Sequence, residues 1–200
     1  MEYMMTLTEY YKYNESNLPE LWNTDLNCYP LSGLAIIPDI MDLKPNRILD
    51  VGCGYNEFKK YFTNLEGIDL ANSKADWLGD ILDYPAEAST YDVILALGSI
   101  NFIDKQTVYK QMSWIADKLK VGGTIFMRVN PSYAPSSAIS DKFYTWTIED
   151  IYTVAAQNNL QILNNYVMFE NRIQSDLIRS GNNDNFSNLR LYWRYVKNEV

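Results

Sequence analysis

The 200-residue sequence predicts an α/β fold: an open, doubly wound, mostly parallel sheet that ends in an antiparallel pair of strands. Three observations predict it. "RILDVG" (47–52) and "YDVILAL" (91–97) are short apolar runs bounded by turn signals, the pattern of strands covered on both faces. Segments with helical spacing alternate with such strands, as crossover connections require. In "LRLYWRYVK" (189–197), Leu189, Leu191, Trp193 and Tyr195 fall on one face of an alternating strand, with Arg190 and Arg194 on a solvated opposite face.

Each element follows in order. Residues 1–44 form a tyrosine-rich lead-in whose prolines break any long helix. "RILDVG" is the first strand, a short helix spans Glu57 to Phe62, and "LEGIDL" is the second strand. "ADWLGD" is a short third strand and "YDVILAL" the central one. Residues 105–120 read as a helix: Val108, Met112, Ile115 and Leu119 form one stripe, Asp104 caps its start, and Gly122-Gly123 ends it. "TIFMRV" is the next strand, followed by the Pro/Ser-rich loop "NPSYAPSSAISDKFY". Thr147 caps a second helix, with Asp150 three residues on. "LQILNNYVMFE" and "LRLYWRYVK" close the sheet as antiparallel neighbours. The whole chain reads as one domain.

Composition excludes several chemistries. The sequence holds no His and only two Cys, Cys28 and Cys53, so Ser-His and Cys-His catalysis and the usual zinc constellations are absent. Two cysteines and a polar, acidic start argue for a reducing, cytoplasmic setting without a disulfide framework. No apolar run is long enough to span a membrane. The net charge of −8 disfavours a broad nucleic-acid footprint, which needs a basic surface.

The most informative stretch is "ILDVGCGYNEF" (48–58), a buried strand entering a glycine turn. Such a turn brings bare backbone close to a ligand. A phosphate-cradling loop would need Gly-x4-Gly-Lys-Ser/Thr, which "GCGYNEFKK" does not supply. The dinucleotide fingerprint needs a third glycine at Glu57, where a carboxylate would also repel a pyrophosphate. Asn56 follows the turn, and Asn tolerates left-handed geometry better than most residues.

Taken together, "ILDVGCG", "GIDL", "GDILDYP", "YDVILALGSINF" and "LKVGGTIFMRV" resemble, in order, the motifs of the class I (Rossmann-like, seven-stranded) S-adenosylmethionine-dependent methyltransferases. The resemblance runs from about Arg47 to Val129. It implies S-adenosyl-L-methionine as cofactor and methyl transfer as the reaction. A sulfonium cation without phosphate suits a site lined by Asp50, Asp69 and Asp80.

By this resemblance Gly52, Cys53 and Gly54 form the turn beside the methionine moiety, and Asp50 helps hold its amino end. Asp69, with Leu70 beside it, accepts from both ribose hydroxyls. Asp80 accepts from the adenine amino group, with the Ile81 N–H facing the ring. Leu97 and Gly98 supply backbone near the methionine amino group. Cys53 itself reads as an inert filler. Only 11 positions separate Asp69 from Asp80, so the usual helix between strands two and three must be nearly absent. Residues 45–130 then form the cofactor-binding half, and 131–200 the substrate loop, helix and terminal strand pair.

The acceptor is read only by class. The Asn/Asp-Pro-Pro-Tyr signature that grips a flipped base is replaced by "LGSINF", which favours a small molecule or a protein side chain over DNA. Candidate substrate contacts are Tyr10, Tyr11 and Tyr13 in the lead-in, Asn101 after the fourth strand, and Asn130 and Tyr133 after the fifth. No residue stands out as a general base. A non-catalytic module on the same fold, which binds S-adenosylmethionine or a partner, is the rival from another class.

Overall fold

A computed structural model describes residues 33–129, 144–163, 168–171 and 189–199 of the chain. The strands are β1 (Ile48–Val51), β2 (Leu65–Asp69), β3 (Trp77–Leu78), β4 (Tyr91–Leu97), β5 (Leu119–Val129), β6 (Leu160–Ile162), β7 (Met168–Asn171) and β8 (Leu189–Lys197). Among the described residues three α-helices accompany them: α1 (Ile37–Asp42), α2 (Lys105–Lys118) and α3 (Ile148–Gln157). The sheet order is β3-β2-β1-β4-β5-β8-β6, with β7 also paired to β8. Strands β3, β2, β1, β4 and β5 run parallel to one another, while β8 is antiparallel to β5, β6 and β7. This is the predicted sheet, with its antiparallel closure.

Apolar strands at the centre explain its order. Every residue of β1 is buried, and in β4 Val93, Ile94, Leu95 and Ala96 are fully so. One face packs against α2 and α3 through Leu49, Ile94, Val108, Met112, Ile115, Ile151 and Val154. The other face packs Ile48, Val93, Leu95 and Phe126 against Ile37 and Ile40 of α1 and against Phe58 and Phe62. Helices therefore cover both faces, the doubly wound arrangement.

The helix caps read from the sequence are present. Asp104 accepts from the Thr107 N–H at 2.7 Å. Thr147 and Asp150 form a reciprocal capping box. Asp150 is 2% exposed and also accepts from the Tyr109 hydroxyl at 2.8 Å and from Lys105 at 2.9 Å, which ties α3 to α2. Against the upward push of burial, Lys105, then Thr147 and Tyr144, hold its carboxyl below the usual range.

Four details differ from the sequence-based expectation. Gly122-Gly123 does not end α2. The helix stops at Lys118, and Leu119 turns extended to pair with Tyr91. Lys197, reaching back from β8, donates to the Ala116 and Leu119 carbonyls at 2.7 and 2.8 Å, so a distant ammonium supplies the cap. The glycines instead lie in a bulge of β5, between the pairings of Leu119 with Tyr91 and Thr124 with Val93.

The expected helix over Glu57–Phe62 is a single 3-10 turn, Glu57–Lys60, because β2 must begin at Leu65. "LQILNNYVMFE" is not one strand: its ends form β6 and β7, and residues 164–167 are outside the described set. Arg194 is not on a freely solvated face. It pairs with Asp39 and lies over the Phe126 ring at 4.5 Å. The side chain of Arg190 lies outside the described residues.

Candidate functional site at the carboxyl edge of the sheet

The carboxyl ends of β1, β2 and β4 place the predicted residues along one edge. Leaving β1, the chain turns at Gly52 and Gly54, both at positive φ (69° and 52°). The two glycines serve different needs. A Cβ at Gly52 would collide with the Cβ of Ser99, so the β1 turn and the β4 turn are pressed together there. The Ser99 hydroxyl donates to the Val51 carbonyl at 2.5 Å and fastens the contact. A Cβ at Gly54 would meet no described residue within 4 Å. Gly54 is therefore the open part of the turn, where a ligand can approach backbone.

Asn56 adopts the left-handed conformation expected of it (φ 57°) and is buried. Its amide donates to the Lys74 carbonyl and to Asp76, both at 3.2 Å, and its side chain fills the space where Gly67 lacks a Cβ. Asp76 also accepts from the Gly67 N–H at 2.8 Å and pairs with Lys59. Sequence reasoning missed this fastening of the turn to β2, because Asp76 is recruited from the loop before β3.

Asp69, the last residue of β2, holds three backbone donors. Its Oδ1 accepts from the Ala71 and Asn72 N–H groups, both at 2.9 Å, and its Oδ2 accepts from the Gly54 N–H at 3.0 Å. A carboxylate offers about four lone-pair sites, so one acceptor position on Oδ2 is left. Leu70, next in the chain, is half-buried.

Asp50 lies one strand away, in register with Gly67 of β2, and is 4% exposed. Burial, then the nearby Asp69 carboxylate, push its carboxyl up to about 7, against a smaller opposing pull from Arg128. Two carboxylates so placed favour a cation between or beside them. Burial first, then Asp50, Asp69 and Asp76, push the Cys53 thiol up, the direction that disfavours a thiolate.

Asp80 is exposed and accepts from the Leu82 N–H at 2.9 Å, capping the 3-10 turn Ile81–Asp83, while Ile81 is buried beneath it. No helix lies between Asp69 and Trp77, as the short spacing required. Leu97 and Gly98 end β4 beside Arg128, which donates to the Leu97 carbonyl. Arg128 and Ser99 are the site-edge residues that the motifs did not single out. Both act across strands, so no local pattern announces them.

Asn101 stands elsewhere than expected. It is fully buried, its amide donates to the Tyr144 carbonyl at 3.2 Å, and its own carbonyl accepts from the Tyr144 N–H at 2.7 Å. It ties two chain segments together and does not line an open surface. Tyr10, Tyr11, Tyr13, Asn130 and Tyr133 lie outside the described residues.

The edge suits a cationic, phosphate-free ligand better than a dinucleotide. The glycine turn leads into one four-residue 3-10 turn, so it presents no α-helix N-terminus to a pyrophosphate. Glu57 stands at the start of that turn and pairs with Lys60. Asp50, Asp69 and Asp80 give this edge acceptors and negative charge, which suit a cationic ligand. Among the described residues no helix is long and apolar enough to cross a membrane.

No family model and no curated protein matches the sequence. Solved structures do match it in shape. An S-adenosylmethionine-dependent methyltransferase from Thermotoga maritima is 13% identical with a TM-score of 0.64, covering 94% of this chain and 99% of that one. The [4+2]-cyclase SpnF is 12% identical with a TM-score of 0.66, covering 96% and 95%. A Haemonchus contortus phosphoethanolamine N-methyltransferase, solved with phosphomonomethylethanolamine and S-adenosylhomocysteine, is 13% identical with a TM-score of 0.62; the match spans 98% of this chain and 61% of that one. The chain has the Rossmann-like fold of the class I methyltransferases.

Proposed function

We propose that the chain binds S-adenosyl-L-methionine at the carboxyl edge of β1, β2 and β4 and transfers its methyl group to a small-molecule or protein acceptor. The observation that carries this reading is the Asp50–Asp69 pair. Two carboxylates on neighbouring strand ends, one buried and raised to about 7, stand beside a glycine turn that has no helix N-terminus for phosphate. When bound, the cofactor would supply a sulfonium methyl group, whose carbon bonds to an acceptor N, O, C or S atom in line as the carbon–sulfur bond breaks and S-adenosylhomocysteine leaves.

Each residue then has a task. Gly54 admits the ligand to the backbone. Asp69 takes one ribose hydroxyl on the remaining acceptor position of Oδ2. Asp80, at the exposed rim, accepts from the adenine amino group while the Ile81 N–H faces the ring. Asp50 and the backbone of Leu97 and Gly98 hold the methionine end. Most of the rate then comes from holding acceptor and methyl in line, which positioning alone can accelerate greatly.

Calorimetric titration with S-adenosylmethionine, S-adenosylhomocysteine and NAD tests the reading. Micromolar binding of the first two, without NAD binding and lost in Asp80→Ala, is the expected result. Tight NAD binding alone would replace it with a nucleotide-dependent oxidoreductase. A cyclase on this fold shows that it carries other chemistry, so turnover needs its own assay: methyl release measured as S-adenosylhomocysteine formed in the presence of candidate acceptors. Cofactor binding with no product across acceptor classes would favour the partner-binding module.

A further inference from the structure

Arg128 is singled out neither by the glycine turn nor by the resemblance, yet it stands at the methionine end of the proposed site. It is in register with Leu97 of β4, and Asp50 is in register with Leu95, two residues back along the same strand. Side chains of registered residues share a face, and so do residues two apart on a strand. Asp50, Leu97 and Arg128 therefore stand on one face of the sheet, at its carboxyl edge.

The guanidinium does not rise straight from β5. It donates to the Leu97 carbonyl and lies 2.9 Å from where a Cβ on Gly98 would be, so it leans over the end of β4 into space that only glycine leaves. Strands lie about 4.8 Å apart, so this lean brings the charge from two strands away to roughly one strand from Asp50. Its charge opposes the burial of the Asp50 carboxylate. A carboxylate and a guanidinium so spaced, around the backbone of Leu97 and Gly98, match the two ends of a free amino-acid group.

We propose that Arg128 receives the α-carboxylate of the cofactor's methionine moiety while Asp50 receives its α-amino group. The assignment rests on the S-adenosylmethionine reading above. A guanidinium has five N–H donors in a planar fork and binds a carboxylate through a parallel pair. The Leu97 carbonyl orients that fork, and Gly98 leaves it room. The zwitterion is then read at both ends, which separates the cofactor from adenosine derivatives that lack an amino-acid tail.

The test is a ligand-by-variant cycle. S-Adenosylhomocysteine and its decarboxylated analogue, which lacks only the α-carboxylate, are titrated calorimetrically into the unaltered chain and into Arg128→Met. The unaltered chain should bind the decarboxylated analogue at least about 10-fold more weakly, the range of one charge-assisted hydrogen bond. In Arg128→Met the two ligands should bind within about 2-fold of each other. Circular dichroism checks that the variant is folded. If it is not, Arg128→Lys serves, since it keeps the charge without the fork and should show a reduced penalty.

A carboxylate penalty of unchanged size in the variant overturns this assignment alone, as does an unaltered chain that binds both analogues equally. No binding of either analogue to the unaltered chain overturns the cofactor reading and this one with it.

Discussion

From β1 to β4 the chain crosses the sheet on two 3-10 turns, Glu57–Lys60 and Ile81–Asp83, and among the described residues there is no α-helix between those strands. From α2 to β8 it uses two capped helices and long antiparallel strands. The first region is held by polar groups aimed at backbone: Asp69 on three N–H groups, Ser99 on the Val51 carbonyl, Asp76 on Gly67. The second is held by apolar burial, with Val108, Met112, Ile115, Ile151, Val154 and Tyr195 fully buried. Loops fixed by side-chain bonds can present backbone and carboxylates to a ligand, whereas helix stripes only bury surface. The comparison pairs the proposed ligand recognition with the first region and leaves the second a packing part alone.

Substitutions can break that division. Gly52→Ala should have the largest effect, because its Cβ meets Ser99 and its φ is left-handed. Overpacking and left-handed strain together cost about 2–4 kcal/mol. Urea denaturation should show a loss of that size, partly restored by Ser99→Gly, which removes the colliding atom. A neutral Gly52→Ala would mean the two turns are not pressed together.

Asp69→Ala should weaken S-adenosylhomocysteine binding by about 100-fold, from the lost charge-assisted bond and the released Gly54 N–H. Isothermal titration measures it. Asp150→Ala is the counterpart in the other region. It removes a buried capping carboxylate that also serves Tyr109 and Lys105, and should cost about 2–3 kcal/mol of unfolding free energy. Ligand affinity should stay within about 2-fold of the unaltered chain. If Asp150→Ala lowers affinity as much as Asp69→Ala, the division fails.

Titration with pH sharpens the contrast, because the two carboxyls act with opposite sign. Asp150 has a lowered pKa, so its contribution to stability is present above the ordinary value of 3.8 and is lost as pH falls. Asp50 has a pKa raised to about 7, so the folded state binds the extra proton between 3.8 and about 7. Stability from this group falls as pH rises through that window. A cation bound beside Asp50 reverses the sense, since it favours the ionised form. S-Adenosylmethionine affinity should rise by about 10-fold from pH 6 to pH 8, given a group that titrates midway, and should be flat in Asp50→Asn. Parallel titrations at the two pH values check it.

Much of this was legible in the sequence, for local reasons. β1 and β4 announce themselves as apolar runs, and Asp104 and the Thr147–Asp150 pair as caps, because cap and helix are adjacent in the chain. Asn56 could be read as left-handed from its residue type. The end of α2 could not: Lys197 does the capping from 78 positions beyond Leu119, so the glycine pair that looked like a stop belongs to a bulge. Ser99 and Arg128 escape for the same reason, since each acts on a strand far away in sequence. Asn101 misled because a polar side chain after a central strand suggests a ligand, while its partner is the backbone of Tyr144. The motif order points to the edge proposed for the site, but how many acceptor positions Asp69 keeps depends on N–H groups contributed by two separate turns.

The most direct measurement is amide hydrogen exchange with and without S-adenosylhomocysteine. The account predicts added protection at 50–56, 69–72, 79–82 and 97–99, with exchange unchanged through 147–157 and 189–197. Protection concentrated in the second set, or none in the first while ligand is bound, would contradict the placement of the cofactor at the carboxyl edge of β1, β2 and β4.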